Sequence, residues 1–382
     1  MTPTTGGRSG RRSFMRALGA GAAAVGASGL LSGTALAQDE DEETDEPAGY
    51  LSIIYDDGPI EDFEMFQVHE EYGAPGCTAA CPGLMNSSEE WLSTGHLQEM
   101  YDAGWEVMSH TIDHRALGEV PIAEDIEEGD TQIYADTNTQ GRFEGDPLVI
   151  FDEDGNEAEA TVAGNGEDDT GQYIELEEPI GESFTAAYTT RVRYTDEFTE
   201  EIVADSQSQL EEMVGEGQVT GWIYTYERAD GLVGDIVPEY YDSAPRRDGA
   251  GGLNPEHDPD PHGLSRRYME TDHMDDDDIE QFLDNVANEP DYGILAGHSQ
   301  YDTMTTDRID FVLEQASERD IEVVTVQEAL DIFGVVDAPD RTADENGDED
   351  GVENGEQDGD DEEEESMGIF DRIIAFFRSI FS

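Results

Sequence analysis

The sequence predicts an α/β fold built on a parallel sheet, either an α/β barrel or a doubly wound sheet, with a small β domain inserted into it. Short apolar runs alternate with helix-period segments from Tyr50 to Met108 and again from Phe198 to Val326, the signature of repeated strand–helix units. From about Val120 to Tyr194 that rhythm stops, and period-2 apolar residues with turn signals such as Asp154-Gly155-Asn156 take its place.

The first run, Tyr50 to Tyr55, is closed by Asp56-Asp57-Gly58-Pro59 and reads as a strand followed by a turn. Phe63, Phe66 and Val68 suit a helix, and Cys77 to Cys81 a second strand. Trp91 to Ala103 reads as a helix: Thr94 is the expected cap, Leu97, Met100 and Tyr101 share a face, and Gly104 ends it before strand Trp105 to Met108. In the insertion, Leu148 to Phe151 and Phe184 to Tyr194 read as antiparallel strands, and Tyr134, Phe143, Tyr173 and Tyr188 as mostly core. Beyond it come helix Phe198 to Met213, strand Val219 to Tyr226, a loop from Gly234 to Pro261, helix Ile279 to Ala287, strand Tyr292 to Gly297, helix Thr306 to Ser317 and strand Ile321 to Val326.

The chain of 382 residues exceeds one large domain of roughly 200–250 residues, so attachments are expected. Residues 1–37 read as a signal peptide: Arg8, Arg11, Arg12 and Arg16 precede an Ala/Gly/Leu stretch ending in Ala35-Leu36-Ala37, and Arg11-Arg12 with Ser13-Phe14-Met15 resembles a twin-arginine export signal. The expected destination is extracellular or the cell surface. Residues 38–49 form an acidic spacer and 337–366 a disordered acidic linker. In 367–382, Ile369, Phe370, Ile373, Ile374, Phe377, Ile380 and Phe381 recur at helical spacing, an amphipathic helix too short to span a bilayer. Peripheral contact with a membrane surface and docking on protein both suit it.

Asp and Glu number 94 against 18 basic residues, all of them Arg, for a formal net charge of -76. A surface this acidic repels nucleic acid and anionic lipid, which removes both as partners of the main body. It also repels itself, so the composition reads as that of a halophilic protein working in molar salt, where screening is short-ranged. Cys77 and Cys81 are expected to be buried thiols rather than a disulfide, because four residues of strand span about 13 Å and bridged Cα atoms lie within about 7 Å.

Hydrolysis of an unactivated amide needs a polarised carbonyl, an activated water, a base and an acid for the leaving amine. Asp57 offers a hard oxygen at the end of the first strand, and His110 and His114, four residues apart, can turn both imidazoles to one side. Two His and one Asp suit a divalent metal, zinc first, with a position left for water. Asp56 is the candidate base, and His298, immediately after Ile294-Leu295-Ala296-Gly297, the candidate acid. Each alone is an ordinary feature of so acidic a chain. In a parallel barrel, however, residues just past strand ends converge at one mouth, and all five hold such positions. By contrast, His257 to His262 reads as a solvated turn and Asp275 to Asp278 as a helix cap.

These residues resemble the polysaccharide deacetylases with a NodB-type homology domain. Ile53-Ile54-Tyr55-Asp56-Asp57-Gly58 is similar to the family's first motif, whose first Asp is the base and second a metal ligand. Ser109-His110-Thr111-Ile112-Asp113-His114 is similar to the second, with both histidines as ligands, and Leu295-Ala296-Gly297-His298 to the late motif that supplies the acid. The resemblance spans the two barrel segments, 50–119 and 196–336, and implies an irregular (β/α) barrel around an inserted β domain at 120–195, in a secreted, haloarchaeal-type member. A third motif, Arg-x-Pro-Tyr or Pro-Tyr-Gly, would fall near Ile223 to Arg228, where proline is missing; Tyr226 is the candidate substrate contact there. The cation expected beside Asp56 would come from Arg246, Arg247, Arg266 or Arg267.

The resemblance implies a metal-dependent hydrolase that removes acetyl groups, N-acetyl first, from a glycan. The alternatives are a non-catalytic glycan-binding or envelope surface protein on the same barrel, and an amidase for a small non-sugar amide. One expectation follows from charge alone. The thermal midpoint should rise as potassium chloride goes from about 0.1 M to about 1 M and the Debye length falls from ~10 Å to ~3 Å; a flat or falling midpoint in a calorimetric salt series would contradict it.

Overall fold

The structure is a computed structural model, and it describes residues 47–247 and 249–336. The expected signal peptide, nearly all of the acidic spacer, the linker and the C-terminal helix lie outside the described residues.

The chain opens with β1 (Gly49–Asp57), α1 (Glu61–Tyr72), β2 (Cys77–Ala80), α2 (Thr94–Asp102) and β3 (Glu106–Ser109). The second helix is capped by Ser93 rather than Thr94: Ser93 Oγ accepts from His96 N–H at 3.1 Å, and the His96 ring accepts from Ser93 N–H in return. Six strands of the insertion follow: β4 (Val120–Pro121), β5 (Gln132–Tyr134), β6 (Pro147–Phe151), β7 (Glu157–Glu167), β8 (Gln172–Leu176) and β9 (Arg191–Tyr194). Then come α3 (Asp196–Val214), β10 (Gly221–Trp222), α4 (Leu232–Ile236), β11 (Arg246–Arg247), β12 (Leu253–Pro255) and β13 (Ser265–Tyr268). The chain continues through α5 (Asp276–Asn288), β14 (Asp291–Gly297), α6 (Thr306–Glu318), β15 (Ile321–Val323) and α7 (Val326–Ile332).

The main sheet runs β10-β3-β2-β1-β14-β13-β11, with β12 added on β14 and β15 on β1. Every pairing in it is parallel except that of β12. It curls until Trp222 N–H donates to the Ser243 carbonyl at 2.9 Å, bringing the β10 edge to the segment that leads into β11. That curl decides between the two architectures the sequence leaves open: this is an irregular (β/α) barrel, not a doubly wound sheet.

Period-2 alternation along β1 sends Leu51, Ile53 and Tyr55 outward against Met65 and Phe66 of α1. Ile54 goes the other way, to a second cluster with Cys77, Ala79, Met108, Ile223 and Ile294, which α7 completes with Val326, Ala329 and Leu330. Asp56 continues the inward parity and is 1% exposed. Tyr55 stacks on the buried Trp105 ring at 5.5 Å, and Gly76 is obligatory beneath that indole, since a Cβ there would lie 2.8 Å from it. Cys77 and Cys81 are free and buried, as their spacing predicts.

Several elements differ from the sequence reading. Only Gly221–Trp222 of the apolar run 219–226 is strand; Ile223 N–H still bonds the Ser109 carbonyl, but the chain then turns, with Tyr226 and Glu227 at φ 55° and 57°. The run from Ile321 stops at Val323 because Thr325 caps α7. The stretch 234–261 carries β11, β12 and the end of α4, and β13 has no counterpart in the sequence reading. Of 184–194, only Arg191–Tyr194 is strand.

The insertion is one antiparallel sheet, β4-β9-β6-β7-β8-β5. Its buried residues are largely aliphatic: Ile133, Leu148, Ile150, Val162, Ile174, Leu176 and Val192, with Tyr194. The four aromatics expected there are not core. Tyr134 and Tyr173 have the opposite parity to Ile133 and Ile174 and pair with each other at 5.7 Å; Phe143 lies under the Arg115 guanidinium at 4.0 Å; Tyr188 is 77% exposed. The insertion is tied to the loop after His114 by Arg115 Nε to Asp146 Oδ2 at 2.9 Å and by Gln140 Nε2 to the Gly118 carbonyl at 2.9 Å.

Candidate metal centre and active site

Parallel register gathers the site. Tyr55 is level with Gly297, Asp57 with Ala80, Ala80 with Ser109, and Ser109 with Trp222, so Asp56, Asp57, His110, His298 and the turn after β10 emerge at one end of the sheet. Backbone strain concentrates there. Of eight non-glycine residues with positive φ among the described residues, five belong to this mouth: Asp57, Thr111, His114, Tyr226 and Glu227.

Asp57 Oδ1 lies 3.2 Å from His110 Nε2 and 3.1 Å from His114 Nε2. His110 Nδ1 is 2.8 Å from the Ile223 carbonyl, which accepts only from a protonated Nδ1. In the neutral ring, therefore, Nε2 presents a lone pair to a carboxylate oxygen that itself lacks a hydrogen-bond partner. Two electron-rich atoms in such proximity call for a cation between them. One ligand atom from each of Asp57, His110 and His114 lies within 4.8 Å of the others, the one such group among the described residues. The donor set and the short separations fit a divalent ion bound at about 2.0–2.1 Å, zinc included. Gln300 Nε2 donates to Asp57 Oδ2 at 2.7 Å and fixes the second carboxylate oxygen. His262 turns its ring to the Tyr241 carbonyl and takes no part.

Asp56 has its own partner. Of the four candidate arginines only Arg266 reaches it, through Nη1 to Oδ1 at 2.6 Å and Nη2 to Oδ2 at 2.9 Å. Burial would raise the Asp56 pKa, but the Arg266 charge, followed by those of His298 and His110, brings it below the ordinary carboxylate value. Asp56 is thus anionic and aimed into the mouth. Arg266 also donates to Glu227 Oε1, from Nε at 3.1 Å and Nη2 at 2.6 Å, and Tyr268 OH donates to that same oxygen at 2.7 Å.

His298 is held through Nδ1, 2.9 Å from Glu270 Oε1, an oxygen that also accepts from His298 N–H at 3.0 Å. Burial would lower the imidazole pKa; the hydrogen bond to Glu270 and the charges of Asp56 and Asp57 outweigh it and raise it to about 9. Nε2, 3.8 Å from Asp56 Oδ2, is left as the proton-bearing atom facing the mouth. The next residue, Ser299, donates to Asp62, a fully buried carboxyl raised to about 8 by burial that also accepts from Thr78. Tyr226 stands over the other side, 47% exposed, its ring 4.7 Å from that of His114.

All six candidate residues therefore surround one mouth. Glu227, Tyr268, Glu270 and Gln300 were not expected. The alternation Arg266, Tyr268, Glu270 along and just beyond β13 is the signal that marks two of them as sharing one face with Arg266.

No family model matches the sequence, and no curated protein matches it. Solved structures do resemble it. The Xyl-CE4 domain of a multidomain xylanase from the hindgut metagenome of Trinervitermes trinervoides is 12% identical, with a TM-score of 0.41, over 76% of this chain and 94% of that one. A family 4 carbohydrate esterase from Streptomyces lividans in complex with acetate is 9% identical, with a TM-score of 0.40, over 73% and 93%. A family 4 acetyl xylan esterase from Clostridium thermocellum in complex with a cobalt ion is 12% identical, with a TM-score of 0.40, over 75% and 93%.

The geometry predicts a specific dependence on Arg266. Arg266→Met leaves Asp56 and Glu227 without their cation and should cost about 3–5 kcal/mol at pH 7. The sign follows from Asp56: its folded pKa is depressed, so the pair stabilises above the unfolded value and loses that contribution as pH falls through the folded one. Urea unfolding in molar salt should show the deficit shrinking below about pH 4; a deficit under about 1 kcal/mol at pH 7 would contradict the assignment.

Proposed function

We propose that the chain is a metal-dependent deacetylase that hydrolyses an acetyl group, N-acetyl ahead of O-acetyl, from a glycan. The observation that carries this reading is the pairing of opposites at one mouth: an anionic Asp56 held by Arg266 and a proton-bearing His298 held by Glu270, on either side of the Asp57–His110–His114 group. A divalent metal held by those three residues, zinc first, supplies Lewis acidity that polarises the acyl carbonyl and activates water.

The chain's own groups carry the protons. Asp56, aligned by both Arg266 bonds, accepts the proton of the attacking water. His298 donates from Nε2 to the departing nitrogen, and Glu270 stabilises the imidazolium until then. Gln300 and the Ile223 carbonyl keep Asp57 and His110 in orientation. Tyr226 closes the mouth beside His114, where an acyl group would sit.

The same proposal places the protein outside the cell. The Arg11-Arg12 leader with its Ala35-Leu36-Ala37 site supports export, and the apolar stripe of 367–382 supports peripheral contact with the envelope.

Acetate release from an acetylated glycan in molar salt should vanish with chelator and return with zinc. His298→Ala should keep one metal per chain while kcat on an N-acetyl substrate falls about 10²–10⁴-fold; full activity in His110→Ala would overturn the reading. A second test uses pH. The acid form of His298 is lost as pH rises through about 9, so kcat should fall on the alkaline side, and Glu270→Gln, by removing the stabilising charge, should move that limb to lower pH. An unmoved limb would remove Glu270 from the mechanism.

A further inference from the structure

One buried carboxyl takes no part in the proton transfers above. Asp62 stands fully buried in the first turn of α1, and its two oxygens reach two different segments: Oδ1 is 2.5 Å from Ser299 Oγ and Oδ2 is 2.8 Å from Thr78 Oγ1. A carboxyl in such a setting is costly, and apolar side chains would pack α1 on the sheet without that cost. Burial pushes its pKa up to about 8, the charges of Asp57 and Asp56 adding to the rise against the two hydroxyl bonds. At neutral pH Asp62 is therefore mostly the protonated acid, which can give one of its bonds and accept the other.

The two bonds straddle the strand that carries the site. β1 lies between β2 and β14, and Tyr55 is level with Thr78 on one side and with Gly297 on the other. Thr78 and the turn after β14 are thus two strand spacings apart, about 9–10 Å, and the carboxyl spans them on the outer face of the sheet, beneath α1.

Ser299 is the residue between His298 and Gln300. Those two face the mouth, His298 Nε2 toward Asp56 and Gln300 Nε2 to Asp57 Oδ2 at 2.7 Å, while the buried Ser299 turns the other way, to Asp62. His298 has further anchors in Glu270, in the Tyr301 N–H that its carbonyl accepts at 3.1 Å, and in the Tyr301 ring stacked on it at 5.0 Å. The Gln300 side chain is held only by Asp57 itself, for its Oε1 is buried without a hydrogen-bond partner among the described residues. Its placement therefore depends on the backbone that Ser299 pins.

We propose that Asp62 is a positioning residue of the centre: by holding Ser299 it sets the backbone of His298-Ser299-Gln300, and with it how Gln300 fixes the Asp57 carboxylate and how His298 presents Nε2. The part that concerns proton transfer rests on the deacetylase reading; the part that concerns the Asp57–His110–His114 group does not.

Zinc titration calorimetry on the full chain, at neutral pH in molar potassium chloride, tests this. Ser299→Ala and Asp62→Ala should each raise the zinc Kd about tenfold, and the double variant no further, because both remove the same bond. Where Asp62→Ala does not fold, Ser299→Ala carries the test. Asp62→Asn, whose amide also gives one bond and accepts one, should keep the wild-type Kd within about threefold. So should Thr78→Val, which cuts the carboxyl's other bond without touching the mouth. With the β-1,4-linked N-acetylglucosamine tetramer, Ser299→Ala should lower kcat about tenfold at unchanged KM. An unchanged zinc Kd in Ser299→Ala overturns the proposal. So does an equal loss in Thr78→Val, which would make the cluster a structural tie of α1, or in Asp62→Asn, which would make charge the agent. The two readings fail separately. Zinc affinity that depends on Ser299, without acetate release by the wild type, keeps Asp62 in its role and removes the deacetylase; acetate release with zinc affinity indifferent to Ser299 does the reverse.

Discussion

Arg266 is 1% exposed and remains charged in that setting because two carboxylates face it, Asp56 from the central strand and Glu227 from the turn after β10. Taking one cation and two anions out of water is expensive, and only close, multiply bonded geometry offsets it. The three groups come from segments far apart in sequence, so their meeting depends on the curl of the sheet, and the site depends on their meeting. With Asp56 neutralised by Arg266, the adjacent Asp57 can face His110 and His114 without a second unscreened carboxylate beside it. The unequal partnering makes two neighbouring aspartates chemically different.

The same division of labour recurs on the opposite wall. Glu270 binds His298 through both the ring and the backbone N–H, so orientation and charge are set by one carboxylate oxygen. Backbone strain at Asp57, Thr111, His114, Tyr226 and Glu227 is tolerated because hydrogen bonds over-determine these turns: Thr111 Oγ1 accepts from Arg115 N–H, and Thr225 Oγ1 donates to the Arg115 carbonyl at 2.5 Å. The insertion joins through that same Arg115, whose guanidinium binds Asp146. The β sheet is thereby coupled to the loop that carries His114.

Legibility in the sequence tracked how much each residue type stands out from its background. Eight histidines in 382 residues are few enough for His110, His114 and His298 to be noticed at strand ends. Glu227 and Glu270 vanish among 94 acidic residues. Strand β13 was hidden for a related reason: Ser-Arg-Arg-Tyr carries no apolar run, since its inward residues serve an ion pair and a hydrogen-bond network rather than the core. The insertion's aromatics misled in the opposite direction, because aromatic content suggests core while strand parity places Tyr134 and Tyr173 on the outer face.

By itself the sequence determined the alternation of strands and helices on either side of a β insertion, the free thiols, and which five polar residues stand at or just past the ends of strands, because each of these is encoded in local periodicity or local spacing. Only the tertiary structure decided that the sheet curls into a barrel, that Arg266 and not Arg246, Arg247 or Arg267 meets Asp56, and that Glu227, Glu270, Gln300 and Tyr301 join the mouth. Those choices depend on register and curvature, which arise from pairings between segments as distant as β1 and β14 and leave no periodic trace in the chain.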